Sequence, residues 1–193
     1  MTTEIEPADN LFDYFHARVD DARATVGTEL SNDTGLYLAT LLVDRARSDA
    51  DRSSEQTLVE LHARAVDAPP AEQARTYRQL GDRALYLVGY FEESLSRASV
   101  GPSYYRQMGA AAYDRVDAVF KRWFANAFDQ VFEELSQGFG ECTQVLKTVR
   151  SRMDEEPDAL MRWLERWHRN GDEDAAQRLR ERGLVLPPRP SEA

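Results

Sequence analysis

The spacing of apolar residues is what most constrains this chain. They recur at intervals of three and four almost from end to end, while glycine and proline are sparse and stand at the breaks. That period places them on one face of an α-helix. A strand needs alternation with β-branched residues, which the sequence lacks, and its one Asn-Gly, Asn170-Gly171, ends a helical pattern and does not join two alternating runs. The pattern therefore predicts an all-α fold: a multi-helix bundle of about seven to nine helices with a C-terminal helical hairpin.

The breaks divide the chain. A first helix is expected from Ala8 to Val26, with Phe12, Phe15, Val19, Ala22 and Val26 inward. A second is expected from Asp33 to Ser48; its "LYLATLLV" is apolar nearly all round and belongs in the centre. Ser54 would cap a short helix that buries Leu58, Leu61 and Ala65 and ends at Val66. Pro70 suits the first turn of a long helix to Ala98, kinked at Gly81-Asp82. After "SVGPS", with Ser103 as cap, helices follow over Tyr104–Trp123, Ala127–Leu135 and Glu141–Arg152. Residues 1–152 form the core domain, 153–186 a hairpin docked on it, and 187–193 a frayed tail.

Charge narrows the partners. With 24 basic and 34 acidic residues the chain carries −10, and the acidity sits in residues 1–149. Such a field repels phosphate backbones and anionic bilayers, so neither nucleic acid nor membrane is expected as a partner. No apolar run approaches the ~18 residues of a membrane span. The N-terminus lacks the basic-then-apolar pattern of a leader, and a single cysteine, Cys142, excludes an intramolecular disulfide. The chain reads as a soluble cytoplasmic protein, compatible with a protein partner or a homo-oligomer.

Here the sequence resembles something known. "LYLATLLVDRAR", "RQLGDRALYLVGYFEESL", "VGPSYYRQMGAAAY" and the "RWLERW…NG…AQRLRERGL" ending are similar, in that order, to an uncharacterised family of bacterial all-helical proteins. Leu80–Tyr113 is the most specific part. The resemblance implies a helical fold and a bacterial cytosol, and no activity, cofactor or site.

Candidate sites rest on the residues. Asp82, Tyr86 and Tyr90 form an i, i+4 stripe, and Tyr105, Gly109 and Tyr113 form another after the turn. Folded antiparallel, the two stripes would face each other across Gly109–Ala112. They would make either a helix–helix seam or a pocket for a planar small molecule between the 80–98 and 104–120 helices. Asp82 is a cap, a surface residue or a buried acid, and capping or exposure is the expectation. Trp163 and Trp167 lie on one face among Arg162, Arg166 and Arg169; they either dock on the body or present a partner surface.

Metal chemistry finds no adequate pattern. Asp13…His16 and Glu165…His168 have acid–histidine i, i+3 spacing, but a bundle di-iron site needs two Glu-x-x-His pairs and two further glutamates. His62 reads as a boundary residue, and Cys142 as a buried hydrophobe beside Phe139, Leu146 and Val149. Nucleophile elbow, phosphate loop and zinc cysteine pairs are missing from the sequence. No cofactor and no catalytic residue is assigned. The expected function is that of a non-enzymatic cytoplasmic adaptor or regulatory protein acting through helical protein-binding surfaces. The alternative is a small-molecule or cofactor-binding sensor or carrier using the pocket above. A third reading is an enzyme taking its acid or base from Asp82 or Glu93.

Overall fold

In a computed structural model of the chain the described residues are 7–48, 56–123 and 129–155, with Leu164, Trp167, Ala176, Leu179 and Arg180 beyond them. Seven α-helices span the continuous segments: α1 (Pro7–Val26), α2 (Asn32–Ser48), α3 (Leu58–Val66), α4 (Pro70–Ser96), α5 (Pro102–Trp123), α6 (Asp129–Gln137) and α7 (Phe139–Glu155). The described residues contain no strand, and the protein is an all-α multi-helix bundle. None of their helices is long and apolar enough to cross a membrane.

Local chemistry sets the ends of these helices. Gly27 closes α1 in the left-handed region at φ 70°, and both its N–H and that of Thr28 return to the Arg23 carbonyl. The Arg23 side chain then reaches the Leu30 carbonyl and holds the turn into α2. Ser31 accepts from the Thr34 N–H at 3.2 Å, and Glu134 of α6 accepts from the Ser31 N–H and the buried Thr34 hydroxyl. At α3 a reciprocal capping box joins Thr57 and Glu60. Ser54, the expected cap, lies outside the described residues.

The bundle is organised around α4. It packs most extensively against α5 and also meets α3 and α7; α1 lies on α2 and α7, and α6 on α5. The short turn after α4 makes α4 and α5 antiparallel neighbours. Their register is legible in cross-helix pairs: Gly81 with Tyr113, Ala84 with Gly109 and Glu92 with Arg106. Here glycine is needed for space. A Cβ at Gly81 would stand 2.7 Å from the Tyr113 ring, and one at Gly109 would stand 2.5 Å from Phe139 and 2.9 Å from Ala84. Leu80, Leu85 and Val88 of α4, Val116 of α5, Leu135 of α6 and Val145, Leu146 and Val149 of α7 are all fully buried. Phe15, Val19 and Ala22 of α1 are buried as their spacing predicts, and Cys142 is buried with Phe139, Leu146 and Val149.

Three details depart from expectation. The break in α4 is at Phe91 (φ −131°, ψ 23°), ten residues beyond the glycine expected to cause it. Gly81 is straight helix, kept small by the ring against it. Around the break, Gly89 lies against Leu146, Arg150 sits over the Phe91 ring at 5.6 Å, and Glu92 pairs with both Arg106 and Lys147. The site of the bend thus follows contacts with α5 and α7. Second, α5 begins at Pro102, so Ser103 is inside the helix and does not cap it; proline needs no N–H partner there. Third, α7 starts at Phe139, ahead of the expected Glu141, with the Cys142 N–H bonded to the Gly138 carbonyl.

Two glycine substitutions should separate space from helix propensity. G109A should cost about 1–3 kcal/mol, because Phe139 and Ala84 must yield. G140A, with nothing within 4 Å of the new methyl, should be neutral or stabilising by up to about 1 kcal/mol. Urea unfolding of both variants measures this; equal effects would show that the close approach at Gly109 is not a constraint.

Candidate functional site

The polar centre of the bundle grows from one buried ring. Tyr113 is wholly buried in α5, packed on Gly81 and within 6.1–6.3 Å of the Tyr37, Phe132 and Phe139 rings. A phenol hydroxyl taken that deep needs an acceptor. One turn of geometry supplies it: with Gly81 against the ring, Asp82 is beside the hydroxyl, and Tyr113 Oη donates to Asp82 Oδ1 at 2.8 Å. Tyr37 of α2 donates to the same oxygen at 2.5 Å. Arg78, one turn before Asp82, donates through Nε to Tyr37 Oη at 3.1 Å and lies 3.6 Å from Asp82 Oδ2. Three helices therefore meet at one carboxylate.

The electrostatics follow from depth. Burial pushes the Asp82 carboxyl above its ordinary value, against the opposing pull of the two phenols, Arg78 and Arg45. Burial and the neighbouring Asp82 charge push both Tyr37 and Tyr113 well above the usual phenol range. The phenols thus stay protonated and serve as donors. Cys142, buried in the same core, is pushed up to about 12 by burial and is an inert thiol at neutral pH.

The six residues expected to line a pocket fall into separate groups. Asp82 and Tyr113 are brought together. Asp82 is neither a cap nor a surface group; it is an interior acceptor with 17% of its side chain exposed. Gly109 gives its space to Phe139. Tyr86 and Tyr90 stack on each other at 4.9 Å; Tyr90 reaches Met153 Sδ at 3.9 Å, and Arg45 lies 5.5 Å from the Tyr86 centroid. Tyr105, half-buried, packs edge-on against Tyr104. The Glu93 side chain lies outside the described residues.

Tyr37 is the member that sequence reasoning placed only in the core. α2, expected in the centre, lies mainly against α1 and α6 and leaves Leu36 38% exposed. The signal for Tyr37 was available: a tyrosine within an apolar run requires a polar partner, and Arg78…Asp82 is an i, i+4 ion pair. Of the two tryptophans that would either dock on the body or present a partner surface, Trp167 is buried, 5% exposed, in keeping with the docked alternative. Trp163, Arg162, Arg166 and Arg169 lie outside the described residues, as do Glu165 and His168. His16 stacks on Phe12 and faces Asp20 at 3.4 Å, away from any metal-like set. The described residues contain no group of three or more metal-ligating side chains.

Comparison with protein-family models, with curated proteins and with solved structures finds no match to this chain. Chemically, one oxygen of Asp82 is taken up inside the bundle: Oδ1 accepts from both phenols, while Oδ2 faces Arg78 at 3.6 Å.

The sign of Asp82's contribution to stability follows from its raised value. Above about pH 4, the ordinary carboxylate value, the unfolded chain has released this proton while the folded chain still binds it. Stability from this group is thus present at low pH and lost as pH rises through the folded value. The difference in unfolding free energy between wild type and D82N, which cancels the other groups, should fall with rising pH from about 4 upward. Urea titrations at a series of pH values test this. A difference that grows instead would mean that the phenols and arginines outweigh burial.

Proposed function

We propose that this chain is a non-enzymatic cytoplasmic adaptor or regulatory protein that acts through helical protein-binding surfaces. One observation carries the reading: α3 has two apolar faces and only one is buried. Leu58, Leu61 and Ala65 are turned inward, while Val59 is 63% and Val66 51% exposed. Together with exposed Ala63, these fall at i, i+4 and i+7 along the outside of the helix, while His62 at the edge of the stripe lies 5.8 Å from the Tyr77 ring of α4. A nine-residue helix does not hold itself. This one is fixed by its capping box and inner face, so the outer stripe is presented on a rigid support. Trp123, 58% exposed at the end of α5 beneath Arg122, is a second apolar group of the kind enriched in binding surfaces.

Two further points support binding over catalysis. The Asp82 carboxylate is engaged inside the bundle, and the chain's one thiol is buried and protonated. The cytoplasm fits a lone buried cysteine, and the resemblance to bacterial helical proteins fits the same compartment.

The double variant V59E/V66E tests the reading. Both positions are exposed, so stability should stay within about 1 kcal/mol of wild type. Native purification of tagged wild type should retain a protein that the variant loses. Retention of the same protein by both would remove α3 as the binding surface.

A further inference from the structure

We draw no further inference here: the strongest candidate, the outer apolar stripe of α3, already carries the binding reading above, and with Arg64 set between Glu60 and Asp67 along the helix no charge complementarity singles out one occupant, so nothing in the structure shows what covers it.

Discussion

The bundle depends on the burial of the Tyr113 ring against Gly81. That contact sets how near α4 and α5 can approach, and the register it fixes brings Asp82 to the phenol hydroxyl. A ring of this size wholly removed from water supplies one of the larger apolar contributions available to a single side chain. Its polar tip would reverse part of that gain if left without an acceptor. Asp82 resolves the conflict and introduces another, since a carboxylate inside a bundle must itself be compensated. Tyr37 and Arg78 do so, and in doing so tie in α2, which lies mainly against α1 and α6 rather than along α4. One packing decision thus accounts for the position of three helices.

Much of this was legible in the sequence, and the reason differs by feature. Helix number and the inward faces of α1, α3 and α7 follow from a period that depends only on local geometry. The Gly81 position was legible as unusual but was misread. A glycine in a helix signals either backbone freedom or close approach, and only the partner helix tells which. The actual bend at Phe91 has no local signature, because it comes from Gly89 against α7 and Glu92 between Arg106 and Lys147. Asp82 was singled out and assigned the commoner fate of an acid. Its two phenol donors come from positions 45 and 31 residues away in the sequence, beyond what any periodicity reports. Tyr86, Tyr90 and Tyr105 share a spacing with the true members, yet their rings satisfy one another locally.

That one oxygen of Asp82 serves hydroxyls from two separate helices has a consequence for how this chain can vary over time. Positions 37, 82 and 113 share a single acceptor, so their energies do not add. A change at any one of them alters what the other two are worth. Routes through sequence space that replace them one at a time therefore cross less stable intermediates, whereas joint replacement by apolar residues of similar volume is open. The junction constrains ancestry as well as shape.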